Sequence, residues 1–198
     1  NDVNFDGVAQ SFNQVATANA LETIGFGSPL YDVIIGLDEG GARLAFDGLS
    51  GEIHASVQST LMEGSHFVRN AALDRMRNAG ASVDPARGVT WWTQGLGSWG
   101  HIDGDGNASR ITHSVKGVIM GFDTIAAETV QLGVYGGWQR SEVGIKRLSS
   151  DAKADGYHVG AYAGWDGDNL SLRGGVSYSW HNAEITRSIN IADLSETI

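Results

Sequence analysis

Several short motifs contain residue types that can do chemistry, and the first is a glycine pattern. Gly95-Leu96-Gly97-Ser98-Trp99-Gly100 has the spacing G-x-G-x-x-G. A dinucleotide site needs this turn between a parallel strand and a helix, so that amides at the helix N-terminus meet the pyrophosphate. Here the motif lies inside a strand pattern, and another strand pattern follows it. We therefore interpret these glycines as structural and predict no cofactor.

A second motif, Asp103-Gly104-Asp105-Gly106-Asn107, resembles the beginning of a calcium-binding loop. An EF-hand loop continues with glycine and has a bidentate glutamate at its twelfth position. This sequence has Ala108 and Ser114 at those positions. We interpret the motif as a flexible acidic loop tip rather than a metal site.

The histidines and serines give no support for metal binding or catalysis. No two histidines have the spacing of a metal pair on one helix face, and we expect His158 and His181 to meet on adjacent strands as a plain polar pair. Ser50 lies close to Glu52 and His54 in the sequence, but a helix-capping role explains this serine better. No G-x-S-x-G nucleophile motif is present. The sequence predicts neither catalytic nor metal-binding residues, and we expect that the protein is not an enzyme.

Composition excludes other classes. The 198 residues contain no cysteine, so disulfides and thiolate sites are excluded. A formal net charge of −10 argues against nucleic acid as a partner, because phosphate binding needs a basic stripe. The 28 glycines stand beside only 2 prolines, which is unlike a disordered Pro/Gly linker and fits close packing or bends in a sheet.

Hydropathy leaves one kind of membrane protein open. No run of 18 apolar residues is present, so a transmembrane helix is not expected, and the polar stretch Asn1 to Gly7 does not predict a signal peptide. A barrel strand needs an apolar residue only at every second position. The mean hydropathy of −0.15 therefore fits an outer-membrane barrel as well as a soluble protein.

Residues 1–80 have the period of α-helices. Ser11 and Gln14 have capping-box spacing before a stripe that ends at Gly25. Ser28 followed by Pro29 is a second start signal. A third helix is indicated by a stripe of Ala42, Ala45, Phe46 and Leu49. These patterns predict a helical pre-barrel or linker region.

Beyond Ser50 we predict two further helices, separated at Gly64 and Ser65. The second of them carries Arg69, Arg75 and Arg77 beside its apolar stripe. Such a face can be an ordinary solvated one. It also fits a linker helix in an acidic-lined lumen, where arginines find carboxylate partners. Residues 78–87 are expected to form a polar joint.

From Gly88 onward the period changes to two, which is typical of strands. The clearest strand is Tyr157 to Trp165, in which an apolar face with an aromatic residue at each end alternates with a small or polar face. Similar alternation predicts about five strands, with a sixth beginning within 189–198. The first, residues 89–101, has no assigned orientation because its three tryptophans do not share a face. Short turns (123–129 and 166–169) alternate with longer polar loops (101–110 and 147–155), as in membrane barrels.

The two faces of these strands suggest two environments. Aromatic tips are typical of interfacial girdles, and the polar side chains opposite are costly to bury dry. The residues expected to face lipid are Val130, Leu132, Val134, Val159, Ala161, Ala163, Leu172 and Val176. The residues expected to face the lumen are Gln131, Tyr135, Gln139, His158, Tyr162 and Arg173. A soluble sandwich or ligand-binding barrel is the alternative, in which the apolar face points inward.

The predicted fold class is mainly β: a partial antiparallel transmembrane β-barrel preceded by an α-helical segment. We place the boundary at residue 80, with the helical region at 1–80 and the N-terminal part of the barrel at 81–198. About 8 strands are needed for a small barrel filled by side chains. The chain is therefore expected to be an internal fragment that does not close a pore.

Parts of the chain resemble a known family. The run Leu49-Ser50-Gly51-Glu52-Ile53-His54-Ala55-Ser56 is similar to a segment of the autotransporter (type V secretion) translocator domains. The similarity continues through Phe67 to Arg69 and Ala72 to Arg75, and Asn13 to Ala16 resembles a pre-barrel helix. Gly117 to Asp123 resembles a barrel strand that enters a periplasmic turn. Together these segments extend over most of residues 11 to 190.

The resemblance implies a twelve-stranded barrel in the bacterial outer membrane. It implies that an N-terminal passenger reaches the cell surface and that a helix occupies the pore. The implied partners are outer-membrane lipid, the passenger and the barrel-assembly machinery. Self-association is expected of the fragment, because its sheet edges are open. Two rival functions remain: a β-rich surface adhesin or binding module without a transport role, and an enzyme passenger such as an esterase.

Overall fold

The computed structural model describes residues 4–78, 88–127, 129–191 and 194–197. Four α-helices precede one antiparallel sheet. The helices are α1 (Phe12–Ile24), α2 (Pro29–Ile35), α3 (Glu39–Leu49) and α4 (Glu52–Asn78). The strands are β1 (Thr90–Ile102), β2 (Ile111–Ala127), β3 (Val130–Ile145), β4 (Ser150–Asp166), β5 (Ser171–Ile191) and β6 (Leu194–Thr197). The predicted joint from residue 79 to 87, and with it the predicted domain boundary, lies outside the described residues.

The first three helices form a small unit with its own core, which we call the cap (residues 4–50). The Ser11 side chain accepts a hydrogen bond from the Gln14 amide at 3.2 Å, as its capping spacing predicts. Asp38 caps α3 by accepting from the Gly41 amide at 2.7 Å. The core is centred on Phe46 and Ile34, which are 0% and 1% exposed. The cap therefore buries much of its apolar surface in this core, to which Ile191 of β5 also contributes.

Helix α4 corrects the prediction of two helices separated at Gly64. It runs without interruption for 27 residues. A Cβ on Gly64 would lie 2.6 Å from Nε2 of Gln139 on β3. Gly64 therefore allows a close approach between helix and sheet and does not end the helix. Ser50, which we expected to cap this helix, instead ends α3 and donates from Oγ to the Asp47 carbonyl.

The strands follow one another in chain order, β1 to β6, and each pairs antiparallel with the next. In this arrangement β1 and β6 are the two edges of the sheet, which is open among the described residues. Two ends can be distinguished. The loop end carries residues 103–110 and the 3-10 helix Lys146–Leu148. The turn end carries the connections from β2 to β3 and from β4 to β5.

Two predicted connections are shorter in the structure. Strand β4 begins at Ser150 rather than Tyr157, so the loop predicted for residues 147–155 is mostly strand. Likewise, β2 continues to Ala127, which places Asp123 within a strand rather than in a turn. The prediction ended each strand where its apolar face ended. Polar residues continue the same alternation beyond that face, because backbone pairing does not require apolar side chains.

One face of the sheet, the outward face, is apolar and exposed. Val134, Val159 and Val176 are 56%, 48% and 76% exposed. Of the other residues predicted to face lipid, Leu132, Ala161, Ala163 and Leu172 are exposed and Val130 is half-buried. Toward the loop end this band finishes in a lateral aromatic row, Trp138, Tyr157 and Trp180, and toward the turn end in Trp165.

Helix α4 lies against the other face, the inward face, and contacts β2, β3, β4 and β5. Near the loop end, Ile53 and Val57 pack with Val143 and Ile145. Near the turn end, the helix contributes Val68, Ala71, Ala72 and Met76 to a cluster with Trp92, Ile119, Tyr135 and Tyr162. Trp92 thus points inward while Trp91 and Trp99 are exposed, which gives β1 the orientation that its sequence left open.

Among the residues described, no helix has the combination of length and apolarity that crossing a bilayer requires.

Candidate functional site

The central feature of the interface between α4 and the sheet is a buried ion pair. Arg75, in the last turns of α4, donates from Nε to Oδ2 of Asp123 at 2.6 Å and from Nη2 to Oδ1 at 2.9 Å. The Asp123 side chain is fully buried and that of Arg75 is 13% exposed. This two-pronged geometry is the strongest pairing available between a guanidinium and a carboxylate. It ties the end of the helix to the turn end of β2.

Neutral donors complete the coordination of Asp123. The Tyr162 hydroxyl donates to Oδ2 at 2.8 Å, and Gln131 Nε2 donates to the same oxygen at 3.1 Å. Trp92 Nε1 in turn donates to the Tyr162 oxygen at 3.0 Å. Because a buried carboxylate is costly unless it is paired and hydrogen-bonded, its three direct partners, with Trp92 supporting Tyr162, make this position tolerable. They come from α4, β1, β3 and β4, so the network joins the helix to most of the sheet.

Sequence reasoning missed Asp123 as part of a site. It placed this residue at the end of a strand that enters a turn, where an acidic residue needs no further explanation. The available signal was the period of two in β2. Asp123 lies two and four residues after Gly121 and Ile119, which face inward, so it lies on the same face as they do. An acidic residue on that face, with Arg75 on the preceding helix, could have suggested the pair.

All six residues predicted to face the lumen lie on the inward face of the sheet, and five of them are buried. These are Gln131, Tyr135, Gln139, His158 and Tyr162. The sixth, Arg173, is an exposed residue near the turn end, where Nη2 donates to Asp166 Oδ1 at 2.6 Å. The prediction placed all six in a wet lumen. In the structure these five are buried on the face that α4 covers.

The three arginines of the predicted linker helix have different positions. Arg75 forms the buried pair described above. Arg77 pairs with Asp74 at 3.1 Å on the helix surface, where both side chains are more than half exposed. Arg69 is also exposed. Only Arg75 of this set therefore contacts the sheet through a charged pair among the described residues.

A second polar group lies under the middle of α4. His158 and His181 meet edge to face with ring centroids 5.8 Å apart, as the sequence predicted. His158 Nδ1 lies 2.7 Å from Ser179 Oγ. Within the described residues, His158 Nε2, His181 Nδ1 and both amide atoms of Gln139 are buried without a protein partner. Such groups in proteins are usually satisfied by ordered water.

The cap contacts the loop end of the sheet through a third polar network. Asp47 of α3 accepts from Gln14 Nε2 at 3.0 Å and from Arg147 Nη2 at 2.9 Å. Arg147 also donates from Nε to Ser109 Oγ at 3.2 Å. At the beginning of α4, Glu52 Oε1 accepts from the Ser109 amide at 2.6 Å. The two ends of α4 are thus fixed to the β region, the first through Glu52 and Ser109 and the second through Arg75 and Asp123.

The calcium-like motif has a different role in the structure. Asp105 Oδ1 accepts from the amides of Ala108 and Asn107 at 2.8 Å and 2.9 Å. These two hydrogen bonds, that from Ala108 first, hold the pKa of Asp105 below its usual range. Asn107 Oδ1 accepts from the Asn13 amide at 2.8 Å. The motif therefore forms a shaped loop that receives the N-terminus of α1, and the described residues contain no cluster able to hold a metal ion.

These features define a class of protein. An antiparallel sheet with an apolar, aromatic-bounded outward face, and with a helix held by buried polar contacts on the inward face, is the wall of a transmembrane β-barrel with an internal helix.

Comparison with known proteins identifies the family. The autotransporter beta-domain family matches residues 91–198. Two relatives, both named extracellular serine protease from Serratia marcescens, are 33% and 32% identical over 195 and 189 residues. The alignments cover 96% and 93% of this chain but only 18% and 17% of those relatives. No solved structure matches the chain significantly.

The chain belongs to the autotransporter β-domain family. It is an outer-membrane translocator domain, as the resemblance in its sequence implied, and its place is the outer membrane at the cell surface. Neither comparison supports the adhesin alternative.

Proposed function

We propose that this chain supplies the pore helix and the first part of the barrel wall of a translocator, which anchors an N-terminal passenger in the outer membrane and exports it to the cell surface. The observation that carries the proposal is that the apolar face of the sheet is exposed and the polar face is buried, the opposite of a soluble β protein. The outward face exposes valines at mid-band, and the inward face buries Asp123 and Gln139 beneath a helix. A soluble β fold would bury the apolar face instead.

The direction of α4 supports surface exposure of whatever precedes it. The helix begins at the loop end, where Glu52 contacts Ser109, and reaches the turn end, where Arg75 contacts Asp123. Strand β1 then begins at the turn end, with Thr90 opposite Asp123. In membrane barrels the short turns are periplasmic and the longer loops are outside. The chain therefore passes inward through the lumen and returns along the wall, which leaves the cap outside.

The inward residues receive structural roles in this proposal. The lumen-facing set that contacts or underlies α4 is Gln131, Tyr135, Gln139, His158 and Tyr162, with Arg173 near the periplasmic rim. Arg75 fixes the linker helix, whereas Arg77 pairs with Asp74 on the helix surface and Arg69 is an exposed residue beside Tyr135 and Tyr162. The helical region to about residue 80 and the barrel part from about 81 act as one unit. We assign the chain no catalytic step.

The partners follow from the same arrangement. Outer-membrane lipid covers the outward face, and the barrel-assembly machinery inserts the strands. The relatives are named extracellular serine proteases, so we propose that a passenger of the parent protein, rather than this chain, holds any enzymatic activity. In isolation, the chain is expected to self-associate through its open strand edges and exposed apolar band.

The test uses the parent protein with an epitope tag placed before Asn4, produced in a Gram-negative host. We expect the tag to be degraded when protease is added to intact cells. We also expect the barrel to sediment with outer membranes and to migrate differently on a gel before and after heating. A parent protein that stays in the soluble fraction after the membranes are removed would contradict the proposal. A periplasmic protein of the same host, which must stay intact, is the control for cell lysis.

A further inference from the structure

We propose that the cap is a seal that docks on the loop end of the barrel and closes the outer opening of the pore around the beginning of α4. This inference rests on the proposed function, because it requires the barrel to lie in the outer membrane with its loop end outside.

The first argument is the reach of the cap. It contacts the loop between β1 and β2 through Asn107, the 3-10 helix after β3 through Arg147, and the end of β5 through Arg187. These points lie at successive positions along a sheet that surrounds α4 on one side. A single unit that bridges them spans the loop end of the described sheet from β1 to β5. Helix α4 begins directly beneath it, after Gly51, whose φ of +70° redirects the chain.

The second argument is that the cap is a folded lid rather than a loose strap. Phe5 packs against Tyr31 and Phe46 with ring centroids 4.9 Å and 6.0 Å apart. Strand β5 contributes Ile191, which is 4% exposed, to this same core. Lifting the cap would therefore expose apolar surface on both the cap and the strand. That cost favours the docked position.

The third argument is a polar latch between Asp47 and Arg147. The Asp47 side chain is 9% exposed, and its two recorded partners are Gln14 and Arg147. Gln14 belongs to the cap itself, so the charged partner comes only from the barrel side. Undocking would exchange the Arg147 guanidinium for solvent at this carboxylate. The ion pair therefore favours the docked position, and because the Arg147 side chain is 56% exposed its contribution is modest.

The fourth argument is the shape of the receiving loop. Asp105 accepts hydrogen bonds from the amides of Asn107 and Ala108. These bonds lie within the loop and do not involve the cap. Asn107 is thereby positioned to accept from the Asn13 amide, one of the free N–H groups at the start of α1, and its carbonyl accepts from Asn13 Nδ2 at 3.2 Å. A preorganised acceptor loses little freedom on binding.

The experiment measures docking and pore closure in the inserted parent protein. This chain contains no cysteine, so Asn13→Cys with Asn107→Cys introduces one defined pair that reports docking by disulfide formation. Arg147→Asp removes the latch. We expect it to slow formation of the disulfide by about tenfold, the factor that corresponds to about 1.4 kcal/mol. We also expect it to raise ion current in planar bilayers and uptake of a large hydrophilic antibiotic in cells.

The rescue variant combines Asp47→Arg with Arg147→Asp, which restores an ion pair of opposite polarity. It should recover both rapid disulfide formation and low current. Arg110→Ala is the matched control, because Arg110 lies on the receiving loop and its ion pair within the described part of the chain is with exposed Asp103, at 3.4 Å. Arg147→Ala serves as a milder release variant where Arg147→Asp does not insert.

The outcomes separate the seal from the proposed function. The seal proposal would be wrong if Arg147→Asp left the rate of disulfide formation unchanged. It would also be wrong if the ion current stayed low when the disulfide no longer formed. Sedimentation with outer membranes and heat-modifiable migration report insertion independently. A parent protein that fails those two measurements counts against the proposed function instead.

Discussion

At the scale of single residues, burial decides which charges matter. Arg75 and Arg77 lie on the same helix, and each has an aspartate partner. The pair of Arg75 with Asp123 is enclosed by Tyr162 and Gln131, whereas the pair of Arg77 with Asp74 is in solvent. Water screens an exposed pair and makes it worth little. A buried pair is sensitive to the loss of either member, because the remaining charge has no solvent to stabilise it.

This contrast gives a prediction for the free energy of unfolding. In the parent protein, Arg75→Ala should lower it by about 3–5 kcal/mol, since Asp123 is left buried without its cation. Arg77→Ala should change it by about 0–1 kcal/mol. Urea unfolding of the two variants in detergent, followed by tryptophan fluorescence, measures both. Equal effects of the two substitutions would show that the buried pair does not hold the helix.

At the scale of elements, α4 shows how the tertiary environment changes the meaning of a residue. A glycine followed by serine is a reasonable signal for the end of one helix and the start of another. In the structure the helix continues through Gly64, because its backbone hydrogen bonds are supported by packing on β3 and β4. Because Gly64 has no side chain, the helix backbone can lie close to Gln139, which is 0% exposed.

A second prediction tests this explanation. Gly64→Ala should destabilise the parent protein by up to about 1 kcal/mol, although alanine favours helices, because the new Cβ displaces the end of the buried Gln139 side chain. Gly48→Ala in α3, where an added Cβ meets nothing within 4 Å, should be neutral or slightly stabilising. The measurement is the urea midpoint. In a Gln139→Ala background the cost at Gly64 should fall, and an unchanged cost would exclude this contact as its cause.

At the scale of the whole molecule, the outward face is divided into an apolar band and a polar extension. The band on β4 runs from Tyr157 to Trp165, about 26 Å along the strand and about 20 Å along the membrane normal after a tilt of about 40°. Beyond the aromatic row, Lys153 and Asp155 face the same side, and Asp155 pairs with Arg140 at 2.8 Å. The strands therefore continue past the membrane surface on the loop side.

This division predicts position-dependent effects of one substitution on a single strand. Val176→Arg, at mid-band on β5, should destabilise the inserted barrel by about 2–4 kcal/mol and reduce heat-modifiable protein. Thr186→Arg, on the same face but beyond the aromatic row, should cost about 0–1 kcal/mol. Folding into lipid vesicles at graded urea concentrations gives both values. Similar costs at the two positions would argue against a lipid boundary at the aromatic row.

The sequence by itself determined the class of this protein and the face of most strand residues. A period of two is a property of the extended backbone, so Leu132 and Val134 share one face of their strand, and Val159 and Ala161 share one face of theirs, whatever packs around them. The capping of α1 by Ser11 and the apolar stripe of α3 were likewise predicted from local features, and the structure reproduces both.

Only the tertiary structure decided how the helix and the sheet are joined. The pairs of Arg75 with Asp123 and of Arg147 with Asp47 connect residues 48 and 100 positions apart. No local periodicity relates such distant positions: the alternation of β2 indicates only that Asp123 faces inward, and its partner is decided by the packing of α4. The orientation of Trp91, Trp92 and Trp99 was open for a related reason. Three large aromatic residues contradict simple alternation, and only the helix packed against Trp92 shows which face is inside.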